Sequence, residues 1–470
     1  LYVGIDAGTS LVKAAAFDDS GAIVAVESVP VRLTVSDGGV EQDADEVLRA
    51  VEGVLGALGV RPDLVGLTGQ GDGLWLADAA GRPVRPAISW MDGRAGGIVN
   101  RWEAEGVSER VYRHTGNTLF PGCPAPLLSW LDRHEPAALD AAATAAYCKD
   151  MVFQRLTGVR ATDTSDASVP FLDPRTRAYS EEAIAACGLS HRAGLLAPVT
   201  EPSPAGPAVG GSVAEGTPIS CGPFDVPACA IGAGVTAPGD GLLIIGTTLA
   251  ALAVTGDLDL TGDPTGFHFT TSRQDRWLRG MPAMVGTAAL DWVLATIAAD
   301  HDELPALLGE SPPGARGVRV LPYFAPSGER APFVEPAARA EFTGVSLETT
   351  RADLTRATCE AIAYAARHCL DAAGLSGDLA VAGGGTRSAA WLQLFADVLG
   401  RPLRIAPAEA GARGAVLAAA ERYGTGLDVP AWTHPAGVQE PDPARSAYYA
   451  DGYADYLARV SAARRRWRNA

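Results

Sequence analysis

The chain opens on a short apolar run, Leu1-Tyr-Val-Gly-Ile, that ends in Asp6 and breaks at Ala7-Gly8-Thr9-Ser10. A second apolar run, residues 11–17, follows at once. The pattern predicts two strands joined by a glycine-containing turn. Val47, Leu48, Val51, Val54, Leu55 and Leu58 recur at helical spacing and predict a helix over residues 44–59. Residues 64–68 then read as a buried strand, and Gly69-Gln-Gly-Asp-Gly73 as the loop leaving it. Residues 201–218 are rich in Pro, Gly and Ala without a period, which predicts loop. Past Pro238-Gly-Asp240 the opening pattern returns: a strand over 241–246, a turn at Thr247-Thr248 and a strand over 249–254. Near the other end, Leu379-Ala-Val-Ala predicts a strand running into Gly383-Gly-Gly385, with a helix carrying Trp391, Leu392, Leu394, Phe395 and Val398 after it. Strands alternating with helices indicate an α/β protein. The punctuation at 238–240 divides it into domains 1–238 and 239–470.

Charge narrows the partners. The 470 residues carry 38 basic and 55 acidic side chains, a net −17, so polyanion surfaces, whether nucleic acid or anionic membrane, are not expected partners. The longest apolar run, 241–254, is too short to span a bilayer. Seven scattered cysteines without a C-x-x-C spacing indicate neither a disulfide framework nor a zinc site. Together with the lack of a secretory pattern at the start, they lead us to expect a cytoplasmic protein. Lysine is confined to Lys13 and Lys149, which we read as a coding bias towards arginine.

Two Gly-Thr turns, one heading each half, are the first candidates for chemistry. Such turns present backbone N–H and hydroxyl groups in a small concavity that suits phosphate oxygens. Each alone is an ordinary hairpin; the pair suggests a clamp on a polyphosphate. No G-x-x-x-x-G-K-[ST] occurs, and no G-x-G-x-x-G stands at a strand–helix junction, so neither a P-loop nor a dinucleotide fingerprint supplies that clamp.

Gly4-Ile-Asp-Ala-Gly-Thr-Ser10 with Lys13 resembles the first phosphate loop of the sugar kinase/heat-shock/actin superfamily, and more narrowly of the FGGY carbohydrate kinases. The likeness runs nearly end to end. It takes in Gly69–Gly73, Trp90-Met-Asp-Gly-Arg94, Lys149-Asp150 through Gly158, Thr162–Ser168, Gly246-Thr-Thr248, Gly328-Glu-Arg330, Phe342–Val345 with Asp353 and Glu360, Gly383–Ser388, and Glu409-Ala-Gly-Ala. The resemblance implies two actin-like, ribonuclease H-like domains with ATP·Mg²⁺ and a small sugar or polyol meeting in an interdomain cleft. Oligomeric state is left open, a homodimer included.

Roles follow from the same resemblance. Asp225, in Cys221-Gly-Pro-Phe-Asp-Val, would be the base that takes the acceptor hydroxyl's proton; read alone, it is an aspartate in a turn. Asp6 would stand on the Mg²⁺ side. Gly8, Thr9, Ser10 and Lys13, with Gly246, Thr247 and Thr248, would hold phosphates, and Gly286, Gly384, Gly385 and Ser388 the rest of the nucleotide. Lys13 also has a bland reading as a surface lysine, and Gly286 as a helix-packing glycine. The acceptor would meet Gln70, Gly71, Asp72, Asp92, Arg94 and Asp225. Trp75 and Trp90 are either ring platforms for its carbon chain or core residues.

Departures from the family pattern bear on the substrate. Gly71-Asp72 replaces the Met-His of xylulokinases and the Arg-Glu of glycerol kinases after Gln70. An ionised carboxylate accepts from two adjacent hydroxyls but cannot donate to a carbonyl. This tilts the reading to a linear polyol, erythritol or a pentitol, with a pentulose such as xylulose as the alternative. Leu127 stands where many members have Lys, Val226 follows Asp225, and Cys359 replaces a larger apolar residue. More distant alternatives are an acceptor-independent actin-like ATPase and a catalytically silent sugar sensor.

Overall fold

The structure, a computed structural model, describes residues 1–36 and 39–468. The chain divides into two compact units: Leu1–Gly234, Gly256–Leu278 and Pro407–His434 make up one, and Val235–Thr255, Arg279–Ala406 and Pro435–Ala470 the other.

The elements used below are, in chain order, β1 (Tyr2–Ala7), β2 (Leu11–Phe17), β3 (Ile23–Pro30), α1 (Ala44–Leu58), β4 (Leu64–Gly69), α2 (Pro124–His134), α3 (Cys148–Thr157), α4 (Thr164–Ala167), β5 (Ala205–Pro207), β6 (Pro218–Cys221) and α5 (Asp225–Gly232). There follow β7 (Gly241–Ile245), β8 (Leu249–Thr255), α6 (Thr287–Thr296), α7 (Arg351–Ala373), β9 (Leu379–Ala382), α8 (Ala389–Leu399), β10 (Leu403–Ile405), α9 (Ala410–Tyr423) and β11 (Gly437–Gln439). The opening strands and the 44–59 helix fall where the apolar pattern puts them, within a residue or two. The stretch 201–218 does not read through as loop. Ala205–Pro207 forms an edge strand against Pro218–Cys221, a position where proline's missing N–H costs no ladder bond.

The first unit's sheet has the order β5-β6-β4-β1-β2-β3. β1 runs antiparallel to β2 and parallel to β4, so Asp6 lies between Lys13 and Thr68. Side chains alternate across a strand, and this sorts the two faces. Val3, Ile5 and Ala7 pack with α1 and α3 in one core. α1 reaches that core because Asp43 caps its start and Gly59, at φ 62°, ends it.

The other face carries Gly4, and here the backbones nearly touch. A Cβ at Gly4 would lie 2.1 Å from the Ala412 carbonyl oxygen, and one at Gly66 2.2 Å from that of Ala415. Glycine at these two positions is what lets α9 lie directly on the sheet. α9 and α5 cross as closely, Gly232 against Ala410 and Gly414 against Ala228. Asp6 has the same parity as Gly4 and so emerges on the α9 face, at that helix's N-terminal end.

In the second unit β7 pairs antiparallel with β8 and parallel with β9, β9 runs parallel to β10, and β10 antiparallel to β11. The strand–turn–strand pattern that heads each half is therefore a real repeat. Buried Leu243, Ile245, Leu290, Ile362 and Phe395 join one core across the strands, α6, α7 and α8. Cys359 lies fully buried within it, as core packing. No helix among the described residues is long and apolar enough to cross a membrane, and all seven cysteines are free thiols.

Candidate active site

In the first unit the β1–β2 turn is closed by a hydrogen bond from the Gly8 N–H to the Leu11 carbonyl, 3.1 Å. A side chain at Gly8 would run into that same oxygen. Ser10 is exposed. Thr9 is engaged: its hydroxyl accepts from Trp90 Nε1 at 3.0 Å and donates to Gln70 Oε1 at 3.2 Å. Trp90 thus holds the turn through its indole N–H, whereas Trp75 is a core residue.

Gln70 is only 2 % exposed, and both ends of its amide are satisfied, since Nε2 donates to Gln42 Oε1 at 2.8 Å. Gln42 in turn donates to the Thr9 carbonyl. Gln70 therefore ties the β1–β2 turn to the Gly69–Gly73 loop. Asp92 and Arg94 form a similar internal brace. Asp92 accepts from the N–H of Val40 at 2.6 Å and from Arg94's N–H and Nε at 2.8 and 2.9 Å. Arg94 donates to Glu41 and stacks over the Trp130 ring. Leu127, on α2, is fully buried.

Asp72 lies in the same loop as Gln70. It holds a left-handed backbone, φ 57°, between Gly71 and Gly73. Gly71 has no room for a side chain, because a Cβ there would lie 2.6 Å from the Phe224 ring. Phe224 immediately precedes Asp225, so the Gly69–Gly73 loop packs on the residue next to it.

Three contacts position Asp225 at the start of α5. The Gly222 N–H donates to the Leu67 carbonyl at 2.8 Å, Thr68 Oγ1 donates to the Pro223 carbonyl at 2.6 Å, and the Phe224 N–H donates to Ser165 Oγ at 3.2 Å. Asp225 remains partly exposed, yet enclosing protein strips enough water from its carboxyl to push its pKa up to about 8, with the charges of Asp6 and Asp72 adding to the rise. Asp6 is pushed up to about 6, again chiefly by desolvation, with Lys13 opposing and Glu409 adding. Its Oδ1 is buried and accepts no hydrogen bond. Lys13 Nζ lies 3.3 and 3.4 Å from the two carboxylate oxygens of Glu409.

These shifts carry a pH prediction. A neutral Asp225 cannot accept a proton, and a raised pKa keeps it neutral below about 8. The specificity constant kcat/KM for the acceptor should therefore rise with pH and level off above about 8, since that ratio reports the free enzyme. A profile flat from pH 6 to 9 would remove Asp225 from the role of base.

The second unit assembles its own glycine-rich surface. Gly246 begins the turn after β7, and its N–H donates to the Thr248 carbonyl at 3.3 Å. Gly286, just before α6, abuts that turn: a Cβ there would lie 2.4 Å from the Thr247 carbonyl oxygen. Gly383 and Gly385 press against Ile245 in the same way, whereas a Cβ at Gly384 would meet only the tip of Arg387. Ser388 Oγ caps α8 by accepting from the Trp391 N–H. Glu329 of Gly328-Glu-Arg330 is buried and accepts from the N–H groups of Met284, Arg330 and Ala331. It thereby braces the segment that leads into Gly286.

Pattern reading gave no individual role to Gln42, Ser165 or Glu409, whose contacts with these residues arise only through folding. It also passed over the state of Lys149. That ammonium is fully buried among Asp150, Asp163 and Asp166, at 2.9, 2.8 and 3.0 Å. Among the described residues no group of three or more His, Cys, Asp or Glu is arranged to hold a metal.

Residues 1–232 match the N-terminal domain, and residues 241–422 the C-terminal domain, of the FGGY family of carbohydrate kinases. Erythritol kinase of Brucella abortus is 34 % identical, over 97 % of this chain and 95 % of the relative. Xylulose kinase of Escherichia coli is 32 % identical, over 89 % of this chain and 90 % of the relative. The crystal structure of xylulose kinase from Rhodospirillum rubrum superimposes with a TM-score of 0.89 at 29 % identity, covering 99 % of both chains.

Proposed function

We propose that this chain, which belongs to the FGGY family of carbohydrate kinases and so transfers a phosphoryl group from ATP to a sugar or polyol hydroxyl, acts on a short linear polyol. Its fold is that family's two-domain actin-like ATPase fold. One observation carries the choice of acceptor: Asp72, fixed in a left-handed turn between two glycines and close enough to Asp225 to raise its pKa. A carboxylate held there offers two acceptor oxygens to vicinal hydroxyls and no donor to a keto oxygen. The likeness to an erythritol kinase supports the same reading.

Asp225 is the proposed base, and the transfer needs little from the protein beyond positioning and charge. Residues 1–238 supply the acceptor groups and the turn Gly8-Thr9-Ser10 with Lys13. Residues 239–470 supply Gly246-Thr247-Thr248, Gly286, Gly384, Gly385 and Ser388 for the nucleotide. Gln70, Asp92 and Arg94 act in this reading by bracing those loops as well as by lining them. Asp6 suits Mg²⁺, because its Oδ1 is a buried oxygen without a donor, and magnesium on a nucleotide commonly takes one or two carboxylates. When bound, that ion supplies neutralisation of phosphate charge. We place the enzyme in the cytoplasm, where its seven free thiols would stay reduced.

ADP release measured across tetritols, pentitols and pentuloses tests the acceptor. Erythritol or a pentitol should give the highest kcat/KM. Turnover of xylulose alone would overturn the argument from Asp72, and equal ADP release without any acceptor would favour the ATPase reading.

A further inference from the structure

We propose that Glu409 is a positioning residue for phosphoryl transfer, acting through Lys13; the inference rests on the reading of Lys13 as a phosphate ligand. Lys13 stands directly across the ladder from Asp6, so both side chains leave the sheet on one face, towards the start of α9. Glu409 immediately precedes that helix. Both of its oxygens lie within 3.4 Å of the Lys13 ammonium.

Its backbone is the second observation. Glu409 holds φ 55° and ψ 41°, a left-handed conformation that glycine or asparagine adopts far more readily. Two residues on, Gly411 leaves space for Asp6, since a Cβ there would lie 3.0 Å from Asp6 Oδ2. The turn from Glu409 to Gly411 therefore wraps both members of the Asp6–Lys13 pair, one by a carboxylate and one by a missing side chain.

Stability does not explain this arrangement. Lys13 is 37 % exposed, and ion pairs so placed contribute little to folding. Strained backbone persists where the surroundings need one particular geometry. An untethered lysine on the rim of the Gly8–Ser10 turn would sample many rotamers. Held by Glu409, its cation stays beside Asp6, where the terminal phosphates are proposed to lie. The ligand addressed is thus the polyphosphate of the nucleotide, not the acceptor.

The test is a double-mutant cycle on the full chain. KM for ATP, KM for the acceptor, kcat and thermal melting would be measured for wild type, Lys13→Ala, Glu409→Ala, Glu409→Gln and the Lys13→Ala/Glu409→Ala double variant. Glu409→Ala should lower kcat/KM for ATP about tenfold, with KM for the acceptor and the melting temperature close to wild type. Glu409→Gln, which keeps an acceptor oxygen for Lys13, should fall between. The double variant should be no worse than Lys13→Ala alone. Losses that multiply in the double variant, while Lys13→Ala is itself impaired, overturn the inference and leave the Lys13 reading intact. Wild-type activity in Lys13→Ala overturns both.

Discussion

Asp225→Asn is expected to lower kcat by about a hundred- to ten-thousand-fold, the range that a positioned proton acceptor contributes. KM for ATP should change little, because the substitution is isosteric and Asp225 is proposed to touch the acceptor. The same change should leave the protein at least as stable. Folding raises the Asp225 pKa by desolvation and by the like charges of Asp6 and Asp72, so ionising it works against the folded state at neutral pH. Linkage gives the sign: a carboxyl with a raised folded pKa loses stability as pH climbs from the ordinary carboxylate range through about 8. The amide removes that loss. Coupled ADP-release kinetics and thermal melts would check both halves. Phosphoryl transfer near the wild-type rate, in Asp225→Asn or Asp225→Ala, would end the proposed mechanism.

The second large effect lies behind the site. Lys149→Met should destabilise the protein by about 3–5 kcal/mol, the usual cost of removing one partner from a buried ionic cluster. Three aspartates, Asp150, Asp163 and Asp166, share that single ammonium within 3.0 Å. Burial already raises the pKa of Asp150 and Asp166 against the pull of Lys149. Without the cation their pKa values rise further, so the variant's folded state binds more protons than its unfolded state. The gap to wild type should therefore be wider at pH 8 than at pH 5. Activity should suffer too. Asp163 caps α4 by accepting from the Ser165 and Asp166 N–H groups, and Ser165 Oγ receives the Phe224 N–H just ahead of Asp225. A guanidinium midpoint within experimental scatter of wild type, or a gap that does not change with pH, would count against this account.

Lys149 also shows where reading along the chain stops. Beside its scarcity it looks like the remainder of an arginine bias, and nothing local reveals that it is enclosed. Gln70 is a parallel case: the family resemblance implies an acceptor ligand, and only the fold shows both ends of its amide engaged by Thr9 and Gln42. The Pro-, Gly- and Ala-rich stretch 201–218 hides a short edge strand, because proline and glycine suppress the alternation by which strands are recognised.

What is local in sequence was legible without coordinates. The apolar runs, the two Gly-Thr turns and the helix over 44–58 depend on neighbours only a few residues apart, so periodicity and turn chemistry suffice. Asp225 stood out by likeness to a family motif, and Asp72 by departing from one. The late return of Pro407–His434 to the first unit is of another kind. It lays α9 against Gly4 and Gly66, sets Gly411 beside Asp6 and puts Glu409 on Lys13. Those contacts join residues roughly four hundred positions apart, and no pattern along the chain encodes them. They follow from close packing, which decides which backbone needs a glycine and which charge finds a partner.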